Sequence, residues 1–251
     1  GSSGNAFVDD RQALGDGPAV LLADLDTPLG PRSTNVEEIV SAGGVAYFAA
    51  ATPLTGSELW RTDGTPDGTR LVKDIAPGER GSSPASLVVL QGVVYFAATA
   101  SDGTGRELWR SDGTAAGTYL VKDIAEGEAG SDPRELVVMN GAVFFRATTA
   151  ATGAELWRSD GSDLGTVLLR DIAAGTDSST PNDFEAIGDR LYFSARTPAE
   201  GSEPWISDGT AAGTTLLKDV ASGASGSSPA SARATASLAW EVTSSLSCSK
   251  I

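Results

Sequence analysis

Apolar and polar positions along this chain fall into short alternating or fully apolar runs, cut by Gly, Pro, Asn, Asp and Ser. That is the pattern of β-strands. It reads most clearly in the second complete unit. Leu87 to Leu90 predicts a strand, Gln91-Gly92 a two-residue turn, and Val93 to Ala98 a second strand. A polar loop over Thr99 to Gly105 leads to a third strand at Glu107 to Ser111. Asp112-Gly113 then opens the turn before a fourth strand at Tyr119 to Ile124. Asp-Gly pairs tolerate positive φ, which suits tight hairpins.

The unit recurs. Glu58-Leu59-Trp60, Glu107-Leu108-Trp109 and Glu155-Leu156-Trp157 are followed by Glu203-Pro204-Trp205, with Trp spacings of 49, 48 and 48. Each copy has an aromatic strand upstream and an Asp-Gly turn downstream, at Asp63, Asp112, Asp160 and Asp208. Each then continues into an apolar run that ends on a basic residue and an Asp. Four short strands per period predict an all-β fold, a β-propeller of four-stranded antiparallel blades. Apolar residues on both phases of a strand fit sheets covered on both faces by their neighbours.

The repeat places blades at about 35–76, 85–125, 134–173 and 182–221, within a propeller region of 19–230 that follows an N-terminal extension of 1–18. Val20-Leu21-Leu22-Ala23-Asp24 matches the fourth strand of the unit. Five blades are therefore expected, the ring being closed by an N-terminal strand over 19–26. Residues 231–251 form a divergent segment, read as a closing blade or as an unrelated tail. The alternative is a fragment of a larger propeller.

The run from Glu107 to Ile124, ELWRSDGTAAGTYLVKDI, resembles the ELWxxDGT repeat family of bacterial, often myxobacterial, surface or secreted proteins. The match covers roughly residues 19 to 230, with Pro204 replacing Leu in the last copy. The resemblance implies a propeller-like fold and an extracellular or envelope setting. It transfers no activity and no catalytic residues.

Composition narrows the chemistry. The 251 residues carry 18 Lys plus Arg against 33 Asp plus Glu, a formal net charge of −15. Such a surface repels phosphate backbones and anionic lipid, so neither nucleic-acid binding nor membrane insertion is expected. There is no His, which removes triads with a conventional base and most zinc sites. The single Cys, Cys248, has no internal partner. No paired carboxylates stand out from the repeat, so the expectation is that the chain is not an enzyme.

The recurring residues have structural readings. The Trp side chains are read as spacers between blades rather than sugar platforms, and the Asp-Gly-Thr turns as carboxylates capping their own hairpins. No cofactor is expected; calcium is a weak possibility at Asp63/Asp67 and Asp160/Asp163, the only turns with a second carboxylate. Lys73/Asp74, Lys122/Asp123, Arg170/Asp171 and Lys218/Asp219 alternate across the outer strand, their basic members guarding an edge or pairing with the Glu of the Trp motif. The copies differ in their loops, which should emerge on one face. The functional expectation is a secreted or cell-surface binding module that engages a glycan or protein through Glu79, Arg80, Glu126, Glu128 and Asp177. A structural or matrix repeat protein is the alternative.

Overall fold

The computed structural model describes Val36, residues 38–224 and Gly226. The expected N-terminal strand at 19–26, the extension at 1–18 and the segment 231–251 lie outside the described residues.

Four sheets follow one another along the chain, each antiparallel and each with its strands in sequence order. The first holds β1 (Ile39–Ala42), β2 (Val45–Thr52), β3 (Gly56–Thr62) and β4 (Arg70–Lys73). The second holds β5 (Ala85–Leu90), β6 (Val93–Thr99), β7 (Arg106–Ser111) and β8 (Tyr119–Lys122). The third holds β9 (Arg134–Met139), β10 (Ala142–Thr149), β11 (Gly153–Ser159) and β12 (Val167–Arg170). The fourth holds β13 (Asn182–Ile187), β14 (Arg190–Thr197), β15 (Gly201–Ser207) and β16 (Thr215–Leu216). No helix occurs among the described residues. The first strands adjoin in series, β1 beside β5, β5 beside β9 and β9 beside β13. The architecture is all-β and propeller-like.

Local sequence explains the hairpins. Gln91-Gly92 joins β5 to β6 with φ of 52° and 81°, and Asn140-Gly141 joins β9 to β10 with 49° and 73°. Both central residues are left-handed, the conformation whose twist matches paired strands. A register shift recurs between Leu and Trp of the repeated motif, at Leu59/Trp60, Leu108/Trp109 and Leu156/Trp157, each against the outer strand.

The cores lie between sheets. Tyr47, Leu59, Val72 and Ile75 of the first sheet meet Leu87, Val94, Phe96 and Trp109 of the second. Leu90, Tyr95, Leu108 and Val121 meet Val143, Phe145 and Trp157 of the third. Met139, Phe144 and Leu156 meet Leu191, Phe193 and Trp205 of the fourth. Burying a side chain of this size contributes about 1.5–3 kcal/mol. Trp109, Trp157 and Trp205 are buried in these clusters, so their ring faces are closed to a sugar.

Basic side chains cross the same junctions. Lys73 Nζ donates to the Thr118 carbonyl at 2.7 Å, Lys122 Nζ to that of Thr166 at 3.1 Å, and Arg170 Nη1 to that of Ala211 at 3.0 Å. The expected pairing of these cations with the motif Glu does not form at Lys73, Lys122 or Arg170. The Glu side chains turn inward and are taken by backbone N–H groups, which leaves the cations to reach the next blade.

Candidate functional site

Glu58, Glu107, Glu155 and Glu203 sit on third strands and are almost wholly buried. Glu58 accepts from the Ala76 and Ser82 N–H groups, both at 2.9 Å, and from the Ser82 hydroxyl at 2.5 Å. Glu107 does the same with Ala125, Ser131 and the Ser131 hydroxyl. Glu155 accepts from Ile172, Ala173 and Ser179. Each one thus ties a sheet to the connector that leads to the next sheet. Burial holds the Glu58, Glu107 and Glu155 carboxyls above their ordinary range, against the lowering effect of these hydrogen bonds.

The turn carboxylates are equally occupied. Asp63 Oδ1 accepts from the Thr65 N–H at 3.0 Å and the Thr65 hydroxyl at 2.7 Å, and Asp112, Asp160 and Asp208 repeat the arrangement. These bonds hold the four aspartates below their ordinary range. Among the described residues no group of three or more His, Cys, Asp or Glu side chains is placed to hold a metal ion.

Connectors and within-sheet loops come together at one end of each sheet. Ser57 N–H donates to the Arg80 carbonyl, and Ser57 pairs with Gly81 as Arg106 does with Gly130. The approach is close enough to require glycine: a Cβ on Gly81 would lie 2.4 Å from the Ser57 carbonyl oxygen.

The five loop residues singled out in the sequence occupy three separate connectors. Glu79 and Arg80 lie between β4 and β5, Glu126 and Glu128 between β8 and β9, and Asp177 between β12 and β13. All are exposed, and none of their side chains makes a hydrogen bond or ion pair with a described residue. Asp177 lines a small pocket with Ser178 and Arg196. The other four line no cleft with it.

A wider cleft of 820 Å³ opens where the first three sheets meet. It is lined by the ends of two of these connectors, Ser83-Pro84 and Asp132-Pro133, and by the first residues of β5 and β9, Ala85-Ser86 and Arg134-Glu135, together with Ser57 and Arg106. Asp132 lies between two guanidinium groups, with Arg134 Nε at 2.8 Å and Arg106 Nε at 3.5 Å. Arg106 is held on its other side by the carbonyls of Ser83 and Ala97. Sequence reasoning passed over Arg106, Asp132, Arg134 and Glu135. Their signal was departure from the repeat: the positions equivalent to Arg106 hold Ser57, Ala154 and Ser202.

No protein-family model matches the chain, and no curated protein matches it. Solved structures do. A puromycin hydrolase is 20% identical, with 74% of this chain and 28% of that one covered and a TM-score of 0.48. The acylaminoacyl peptidase of Pyrococcus horikoshii is 12% identical over 75% of this chain and 27% of the other, with a TM-score of 0.47. A puromycin-hydrolyzing peptidase of Mycobacterium tuberculosis is 13% identical over 74% and 32%, with a TM-score of 0.44. The chain spans about a third or less of the length of these structures. The expectation of a binding module stands corrected: the structures that the chain resembles bear the names of hydrolases and peptidases, a likeness of fold that assigns no activity to this chain.

Proposed function

We propose that the chain is a non-catalytic, propeller-like frame domain whose ring is completed by a fifth blade with the N-terminal strand at its edge. The observation that carries the first half is the use of the buried carboxylates. Glu58, Glu107 and Glu155 recur in buried sites with raised proton affinity, which elsewhere marks a general acid. Here both oxygens of each are taken by the backbone and a Ser hydroxyl of the same junction. A carboxyl that anchors a connector on every blade is a fastening, and no face of it is turned to a substrate.

The ring proposal is supported by the first sheet. Ile39 is 65% exposed, whereas Leu87 at the same place in the second sheet is 7% exposed because the first sheet covers it. Ile39 has the chemistry of a residue awaiting a neighbour. Membership in the ELWxxDGT repeat family and an envelope or extracellular setting belong to the same proposal, resting on the recurrent motif.

Peptide hydrolysis is the competing reading, by the names of the similar structures. The purified chain, incubated with aminoacyl-naphthylamide and peptide substrates, should release no product above a heat-denatured control. Turnover that disappears in Glu58→Gln, Glu107→Gln or Glu155→Gln without loss of the folded state would sink the proposal.

A further inference from the structure

The recurrent positions of this protein are absorbed by its construction, so departures from recurrence are where other chemistry is to be sought. Two of them, Arg106 and Arg134, gather on one cleft. Aligned on Ser82, Ser131 and Ser179, the connectors read Ser83-Pro84-Ala85-Ser86, Asp132-Pro133-Arg134-Glu135 and Thr180-Pro181-Asn182-Asp183. The second connector alone puts an Arg at its third place. The second sheet alone puts an Arg, Arg106, before its Glu-Leu-Trp motif.

The backbone aims these side chains. The first and fourth residue of each connector segment are left-handed, with φ of 50° and 58° at Ser83 and Ser86 and 47° and 58° at Asp132 and Glu135. Outside glycine this conformation costs roughly 1 kcal/mol or more per residue. Asp132, Arg134 and Glu135 all line the 820 Å³ cleft, which is of the size that takes a small molecule.

The two arginines differ. Arg106, 23% exposed, has its Nε on Asp132 and both terminal nitrogens on backbone carbonyls, so it is a fixed part of the wall. Arg134, 60% exposed, uses only Nε, and its two terminal amino groups bond to no described residue. One carboxylate, Asp132, is shared by two guanidinium groups, and with Glu135 the four charged side chains of the cleft sum to zero, so the site suits a ligand that brings a donor as well as a carboxylate. Ser57, Ser86 and Glu135 line the same space.

We infer that this cleft binds a small carboxylate that also carries a hydrogen-bond donor, as an amino acid, a short peptide or a hydroxy acid does. The free edge of Arg134 matches a planar carboxylate with two parallel N–H donors. Glu135 takes the donor. A phosphate dianion is disfavoured by the acidic field of the rest of the chain, which repels a double charge more than a single one. The site is separate from the carboxylates of the proposed frame, and its readout is binding instead of hydrolysis, so either idea stands or falls alone.

Isothermal titration of the full chain with glycylglycine, glycylglycine amide and lactate tests it. Saturable binding of glycylglycine or lactate is expected, with the amide at least about tenfold weaker than its acid. Arg134→Gln should weaken the acid by about tenfold or more, Arg134→Lys should restore part of the loss, and Arg80→Gln should change nothing. Melting curves of each variant establish that it is folded; Arg134 is exposed enough to be replaced without unfolding the sheet. Equal affinity for acid and amide, an unchanged Arg134→Gln, or no binding of any probe up to about 10 mM overturns the inference.

Discussion

Lys73 of the first sheet donates through Nζ to the main-chain carbonyl of Thr118 in the second, at 2.7 Å, and lies 5.8 Å from the centre of the Trp109 ring. The side chain thus spans a junction twice, by a charged hydrogen bond and by its position over an indole. Its Nζ charge is what both contacts use.

Replacing it with an isosteric apolar chain separates charge from packing. Lys73→Met should lower stability by about 1–2 kcal/mol. Urea denaturation should show a lower midpoint with an unchanged slope. An unchanged midpoint would make the contact one of geometry alone.

The buried carboxylates should be costlier. Glu107→Ala leaves the N–H groups of Ala125 and Ser131 without an acceptor in a dry site, at a cost of about 3–5 kcal/mol. Glu107→Gln keeps one acceptor oxygen and should cost clearly less. The two variants in parallel denaturation experiments should differ in that order.

The pH profile follows from two opposing groups. Glu58, Glu107 and Glu155 are raised above their ordinary 4.5, so the stability they contribute is fully present below 4.5 and is lost as pH rises through their folded values. Asp63, Asp112, Asp160 and Asp208 are lowered from 3.8, so their contribution is present above 3.8 and is lost as pH falls through their folded values. Together these groups place maximum stability between 3.8 and 4.5. Melting temperature measured from pH 3 to pH 8 in about unit steps should rise from neutrality towards that window and fall below it. A steady decline from neutrality downwards would contradict it, and replacing the three glutamates with Gln should flatten the alkaline limb.

Two glycines with left-handed backbones make a paired test. Gly81, at φ +64°, would drive a Cβ to 2.4 Å from the Ser57 carbonyl oxygen, whereas Gly78, at φ +122°, has open space around it. Gly81→Ala should therefore cost about 2 kcal/mol or more beyond Gly78→Ala. Equal melting temperatures would mean that the connector and loop part easily.

The strands were legible because each sheet repeats its own punctuation: Gln91-Gly92 and Asn140-Gly141 fall where the pattern expects turns. Burial of the Trp side chains was legible for the same reason. The partners of Lys73 and Lys122 were not, because strand alternation gives the face of a side chain and says nothing of a carbonyl some 45 residues away in the next sheet. The cleft was missed for a related cause. Charge singles out the connector tips at Glu79, Arg80, Glu126, Glu128 and Asp177, while the cleft is lined by residues that follow them, among them left-handed Ser83, Ser86, Asp132 and Glu135. Such conformations at non-glycine residues leave little trace in composition.

Among the described residues, three cores are shared between four successive sheets. Excising the second or third sheet destroys two of these cores, whereas excising the first or fourth destroys one. Stability is then counted in junctions, as in a one-dimensional chain of coupled units. A pair of adjacent sheets is the least piece that owns a complete core, and a single sheet owns none.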